Sequence, residues 1–282
     1  MQIAFTTTLP KKGFARLAAE HSLSVPLEKA EVLVSTFDKP VTREMIASAE
    51  RGIRVTNTPR SVVEPTAELA FALMHAVARR TVEFDKNMRK RGGVEFGVMN
   101  NLSHSLYGRT LGIIGMGRIG QALARRAVAS GMTIVYHNRH RLSEEIEQKY
   151  GAAYVSLDEL LRTADFVSLN LPYTQEVHHM IGSAELQLMK SSAYLINTAR
   201  GAHVDEEALA QALRTRAIAG AALDVFENEP IVPPTFRWLN NIVLSPHTGT
   251  GTWEGRLAMC DEVCDNILAF IAGDTDKMSI VL

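Results

Sequence analysis

The ten residues Leu111-Gly112-Ile113-Ile114-Gly115-Met116-Gly117-Arg118-Ile119-Gly120 constrain this chain more than any other stretch. An apolar run enters three glycines at G-x-G-x-x-G spacing, and a helical run over residues 121–130 follows at once. Strand, glycine turn and helix in that order are the context that the dinucleotide-binding fingerprint requires. Gly115 permits the tight turn, Gly117 lets backbone approach a pyrophosphate, and Gly120 lets the helix pack closely on the strand. The phosphates would sit on N–H groups at the helix N-terminus, where the macrodipole is positive, with Met116, Arg118 and Ile119 in the same turn.

The rest of the chain reads as a carrier for such a unit. Short apolar runs alternate with longer amphipathic ones, the pattern of parallel α/β architecture. Predicted strands are Gln2–Phe5, Glu31–Thr36 and Ile53–Thr56, then Gly112–Gly115, Thr133–His137, Ala153–Val155, Phe166–Leu169, Tyr194–Asn197, Gly220–Leu223 and Ile242–Leu244. A long Ala/Leu-rich helix is expected from Pro65 to Lys90, and a last one over Trp253–Ala272. The expected fold is α/β, with two Rossmann-like or flavodoxin-like domains on doubly wound parallel sheets. Residues 61–252 form the dinucleotide-binding domain, and residues 1–60 plus 253–282 a discontinuous substrate domain. The 282 residues are ample for two buried cores.

Composition removes other classes. A formal charge of -1 offers no basic excess for nucleic acid, and no apolar run is long enough to span a bilayer. Cys260 and Cys264 are the only cysteines, which points to a reducing compartment, the cytoplasm. No metal site is expected: His178-His179 has no spaced acidic partner in sequence.

The end of the second strand of the unit bears on the cofactor. An NAD-specific unit places a carboxylate there for the ribose hydroxyls. Here the strand ends Tyr136-His137-Asn138-Arg139-His140-Arg141, and no carboxylate comes before Glu144. Asn138 can bond a ribose oxygen without repelling a phosphate, and Arg139 offers a planar fork to a 2′-phosphate. NADP is therefore the expected cofactor, with NAD the alternative.

Three further segments fall at strand C-termini of the same sheet: Asn197-Thr198-Ala199-Arg200-Gly201, Asp224-Val225-Phe226-Glu227-Asn228-Glu229-Pro230, and Ser245-Pro246-His247-Thr248-Gly249. With the glycine fingerprint, this ordered set resembles the D-isomer-specific 2-hydroxyacid dehydrogenases, and within them the glyoxylate, hydroxypyruvate and 2-ketoaldonate reductases. The resemblance implies reduction of a small 2-keto acid to the D-2-hydroxy acid. Arg200 would grip the carboxylate and polarise the adjacent carbonyl, since a guanidinium is always charged and binds carboxylates bidentately. His247 would give the proton that the developing alkoxide needs. Glu229, just before Pro230, matches the family's carboxylate partner of that imidazole. Asp224 resembles the residue that contacts the nicotinamide carboxamide. Leu171, Pro172, Thr198, Ala199, Gly249 and Thr66 match further cofactor-lining positions. The resemblance also implies a homodimer through the Pro65–Lys90 region.

The N-terminal third departs from that pattern. Only five residues separate the strand-like Ser22–Val25 from Glu31–Thr36, whereas parallel neighbours need a crossover of about a dozen residues. After Met45-Ile46-Ala47, Ser48 arrives where the family has another strand and a glycine-containing loop. Either the chain carries deletions or stretches are missing from the sequence, and Cα separations near Val25–Pro26 and Ala47–Ser48 would tell. A shortened substrate domain keeps a second reading open: a cofactor-sensing protein on the same fold, without catalysis.

Overall fold

The computed structural model describes residues 1–5, 11–25, 31–35 and 54–281. Two compact units emerge, one of Met1–Pro65 with Thr250–Leu282 and the other of Thr66–Gly249.

In the first unit, strands β1 (Gln2–Phe5), β2 (Ser22–Leu23) and β3 (Val32–Val34) form a parallel sheet in the order β2-β1-β3, beside a one-turn helix α1 (Ala15–Ala18). The crossover expectation treated β2 and β3 as neighbours, and the structure corrects it. Both pair with β1, and Leu23 and Val32 stand level on either side of Ile3. The stretches at Pro26 and at Ala47–Ser48 lie outside the described residues, as does Ile53 of the predicted third strand. The rest of that strand is corrected to an isolated antiparallel bridge, Thr56 to Ile280.

Two helices stand where one was expected between Pro65 and Lys90: α2 (Val63–Ala78) and α3 (Thr81–Met88). The chain breaks at Arg80, which takes a left-handed φ of 55°. Its guanidinium donates to both carboxylate oxygens of Glu83 and to the Leu102 carbonyl, which holds the turn. A left-handed arginine carries no glycine to announce it, so the helical period reads straight through.

The second unit is a seven-stranded parallel sheet. It contains β4 (Thr110–Ile114), β5 (Thr133–His137), β6 (Ala152–Tyr154), β7 (Phe166–Leu169), β8 (Tyr194–Asn197), β9 (Gly220–Leu223) and β10 (Ile242–Leu244). Their order is β6-β5-β4-β7-β8-β9-β10. The order reverses between β4 and β7, the switch point where ligands bind in doubly wound sheets. Strands β7, β8 and β9 are buried at every residue, as expected for strands covered on both faces. The crossovers carry α4 (Arg118–Ala129), α5 (Glu144–Tyr150), α6 (Leu157–Thr163), α7 (Ser183–Leu188) and α8 (Glu206–Thr215).

Local signals start several of these helices. Ser156 accepts the Glu159 N–H ahead of α6, and Asp205 accepts the N–H groups of Glu207 and Ala208 ahead of α8. Leu160, Leu161, Leu186, Leu209 and Leu213 then bury against Val167, Leu169, Leu195 and Leu223. Each fully buried leucine contributes about 1.5–3 kcal/mol.

The last helix, α9 (Trp253–Ile271), returns to the first unit. Its Cys260, Cys264 and Ile267 join Ile3, Phe14, Leu17 and Val34 in one core. Glu262, almost wholly buried, accepts the backbone N–H groups of Arg60 and Ser61, the Ser61 hydroxyl and the Arg60 guanidinium. Both chain ends therefore build one unit.

Candidate active site

The fingerprint turn is built as its spacing requires. Gly115 has φ 92°, and a Cβ there would fall 2.7 Å from the Asn170 backbone. A Cβ on Gly120 would lie 2.5 Å from the Gly115 carbonyl oxygen, so only glycine lets α4 sit this close to β4. A Cβ on Gly117 would meet nothing within 4 Å. Space is thus held open where a pyrophosphate would approach, and no side chain caps α4 at its Gly117 N-terminus.

Other polar groups face the same strand ends. Among the described residues, the buried Asn170 Oδ1 after β7 and Thr198 Oγ1 after β8 have no hydrogen-bond partner within the protein. Buried polar atoms rarely go unpaired, and a polar ligand would satisfy these two. Asn170 did not stand out in the sequence. The cradle fits a dinucleotide.

Asn138 stands beside the turn, but its Oδ1 accepts the Met116 N–H at 2.7 Å. Its carbonyl oxygen is therefore committed to holding the fingerprint loop against the end of β5. Arg139 is exposed. Arg141 is not part of a loose basic patch: its guanidinium donates to both Glu147 oxygens, while the Tyr136 hydroxyl donates to Oε1. Those bonds, Arg141 first and Tyr136 second, hold the Glu147 carboxyl down at about 2.

The three catalytic candidates come from the C-terminal ends of adjacent strands β8, β9 and β10. His247 Nδ1 lies 2.7 Å from Glu229 Oε2, and the Phe226 N–H donates to Glu229 Oε1 at 3.0 Å. A carboxylate on Nδ1 leaves Nε2 as the ring atom for proton exchange. His247 itself has φ 54°, a left-handed conformation rare outside glycine. It is held by its own N–H, which donates to the Asp224 carbonyl at 2.8 Å.

Asp224 is the strut beneath that loop. Its carboxylate is 1% exposed, and Oδ1 and Oδ2 accept the N–H groups of Thr248 and Gly249, each at 2.8 Å. Thr66 and Gly249 stand against it: a Cβ on Gly249 would lie 3.3 Å from Asp224 Oδ2 and 3.4 Å from Thr66 Oγ1.

Arg200 is exposed at the end of β8, and its Nη1 donates to the Ala199 carbonyl. The buried Asn197 side chain clamps that loop, accepting the Ala199 N–H and donating to the Arg200 carbonyl. Gly201 then packs on the Phe226–Glu227 peptide so closely that a Cβ would fall 1.9 Å from the Phe226 carbonyl carbon. The loop carrying Arg200 and the loop carrying Glu229 are thereby interlocked. Asn197 and Gly201 stand within the strand-end motif, where no local pattern marks either for these roles.

Leu171 and Pro172 follow β7, with Leu171 packed on the core beneath. His203 is fully buried, and neither ring nitrogen makes a well-formed hydrogen bond. Burial lowers its pKa, with the Pro172 and Arg200 backbone pulling the other way. It is a packing residue. The reading of His178-His179 is corrected: Glu227, 48 residues from His179 in sequence, lies against it at 3.1 Å.

Residues 71–249 match the family profile described as "D-isomer specific 2-hydroxyacid dehydrogenase, NAD binding domain". The chain belongs to this family. As a member it is an oxidoreductase acting on a CH–OH donor, and it uses a nicotinamide cofactor. It is 50% identical over 231 residues to a glyoxylate reductase of Thermococcus litoralis, covering 80% of this chain and 70% of that protein. A Thermococcus onnurineus glyoxylate reductase is 46% identical over 313 residues, 97% of this chain and 93% of that protein. That alignment exceeds the 282 residues here, so the relative carries residues to which nothing in this chain corresponds. Among solved structures, an NADPH-dependent glyoxylate/hydroxypyruvate reductase of Sinorhizobium meliloti, in complex with NADP and malonate, has a TM-score of 0.82 at 30% identity. It spans 96% of this chain and 93% of its own.

Proposed function

We propose that this dehydrogenase reduces a small 2-keto acid of the glyoxylate, hydroxypyruvate or 2-ketogluconate type to the D-2-hydroxy acid, with NADPH preferred. The observation that carries the reading is the 2.7 Å pairing of His247 with Glu229, interlocked through Gly201 with the loop of Arg200. Reduced nicotinamide supplies a hydride when bound. Arg200 holds the substrate carboxylate and draws electron density from the neighbouring carbonyl. His247 delivers a proton from Nε2 to the oxygen as it becomes an alkoxide, and Glu229 steadies the imidazolium. Asp224, Thr66 and Gly249 border the site beside His247, while Gly115, Met116, Gly117, Arg118, Ile119 and Gly120 hold the pyrophosphate.

NADPH preference rests on the end of β5. Arg141 is committed to Glu147, which leaves Arg139 as the cation for a 2′-phosphate, and the first acidic residues of α5 lie beyond it. The names of the relatives favour glyoxylate as the first substrate to assay. Comparing kcat/KM for glyoxylate, hydroxypyruvate and 2-ketogluconate with NADPH and NADH tests the proposal. A clear NADH preference removes the cofactor assignment, and no turnover with any of the three removes the substrate class.

The same reading makes the protein a cytoplasmic homodimer. The pairing would run through Pro65–Lys90, where Val82 and Met88 are half-exposed, and the strongly exposed Phe96, Val98 and Met99 extend that apolar surface beyond it. Sedimentation as a monomer at micromolar concentration would remove the dimer.

A further inference from the structure

We propose that His178, His179 and Glu227 form a binding site for one divalent transition-metal ion, with zinc the best-suited probe. The inference does not depend on the substrate assignment. The loop after β7 supplies two imidazoles and the loop after β9 supplies a carboxylate. The rings stack with centroids 3.9 Å apart and 20° between planes. His179 Nε2 lies 3.1 Å from both Glu227 oxygens, and His178 Nε2 lies 4.0 Å from Oε1. One ligand atom from each residue falls within 4.8 Å of the others.

Those separations suit coordination. Zinc takes nitrogen and oxygen ligands at about 2.0–2.2 Å in a tetrahedron, which sets ligand atoms roughly 3.4 Å apart. The distances of 3.1 and 4.0 Å straddle that value, and turning one imidazole out of the stack, so that both Nε2 lone pairs converge within their ring planes, brings all three onto one ion. Two histidines and a carboxylate with a fourth position open to solvent form a borderline-soft donor set.

The surroundings fix the ligands as a metal site requires. His178 Nδ1 lies 3.3 Å from the Tyr173 hydroxyl. An Nδ1–H donated to that oxygen leaves the Nε2 lone pair toward Glu227. His179 is held at φ 50° with its N–H on the Ala202 carbonyl at 2.8 Å. The Glu227 N–H donates to Glu206 Oε1 at 3.0 Å. An ordinary surface ion pair would engage one histidine. Here a second ring is stacked and oriented on the same carboxylate. Glu227 also stands two residues before Glu229, so an ion here would fix the loop that orients His247.

The test uses the metal-free full chain without cofactor, titrated with zinc against a chromophoric chelator. One equivalent of zinc should be withdrawn from the chelator. The dissociation constant should rise at least about tenfold in His179→Ala, His178→Ala and Glu227→Gln, and severalfold in Tyr173→Phe, the scale set by loss of a ligand or of its orienting partner. His247→Asn should bind zinc as the wild type does. Far-ultraviolet circular dichroism and NADPH binding establish that each variant is folded, and the three ligand variants stand independently. Failure of the wild type to withdraw zinc, wild-type affinity in the folded ligand variants, or loss of affinity in His247→Asn would overturn the proposal.

Discussion

Asp224→Asn replaces a carboxylate by an amide of nearly the same shape and leaves the backbone bonds at this position in place. The wild-type oxygens accept two N–H groups, from Thr248 and Gly249, both at 2.8 Å, in a site 1% exposed. Asparagine keeps one acceptor, so one N–H stays paired through a weaker, neutral bond and the other faces an NH2 group. Hydrogen bonds to charged groups contribute about 1.5–3 kcal/mol, and an orphaned buried donor costs about 1–3 kcal/mol. Removing a desolvated charge offsets part of that loss, which leaves a destabilisation of about 2 kcal/mol. Urea unfolding of the cofactor-free protein reads it as a lower midpoint at unchanged slope. Because Thr248 and Gly249 adjoin His247, turnover should fall as well, by ten- to a hundredfold, the scale of a misplacement of about 1 Å. A midpoint shift under about 0.5 kcal/mol with unchanged turnover would show that this carboxylate does not hold the loop.

Gly117→Ala and Gly120→Ala should separate binding from stability. The first puts a methyl group into open space and should raise the NADPH dissociation constant at least tenfold with little change in Tm, whereas the second meets the Gly115 carbonyl 2.5 Å away and should lower Tm. Arg139→Ala should raise KM for NADPH at least about tenfold and leave that for NADH unchanged, as loss of a charged fork on a phosphate requires; equal effects on both would place Arg139 outside the site. Glu147, ordinarily near 4.5 and held at about 2 by Arg141 and Tyr136, stabilises the fold fully above pH 4.5 and loses that contribution as pH falls toward 2. The Tm gap between wild type and Glu147→Gln should therefore narrow over that window, and a gap constant in pH would contradict the assignment.

The dinucleotide unit was legible because its signals are local. Gly115 takes the left-handed turn and Gly120 the close packing that their spacing implied, Gly117 faces open space, and the strand-end motifs order Arg200, Glu229 and His247 along consecutive strands. Relations that span the sequence were not legible. Nothing near His178-His179 hints that Glu227 will fold against it, since the contact depends on how the loops after β7 and β9 meet. Asn197 looked like the end of a strand, yet its amide fixes the Arg200 loop through two bonds. Arg80 broke a helix whose apolar period continued unbroken, because the interruption is a backbone conformation held by Glu83 and Leu102. In the first unit, β2 and β3 flank β1 and do not pair with each other, an order that no local signal in the sequence carries.

The most direct test is steady-state turnover of glyoxylate by His247→Asn, measured beside its NADPH dissociation constant. In the proposed reduction the imidazole, its Nδ1 2.7 Å from Glu229, is the proton donor. Its loss should lower kcat by about 10²–10⁴-fold while NADPH binds as in the wild type. Turnover within threefold of wild type, with cofactor affinity intact, would contradict the assignment of His247 as that donor.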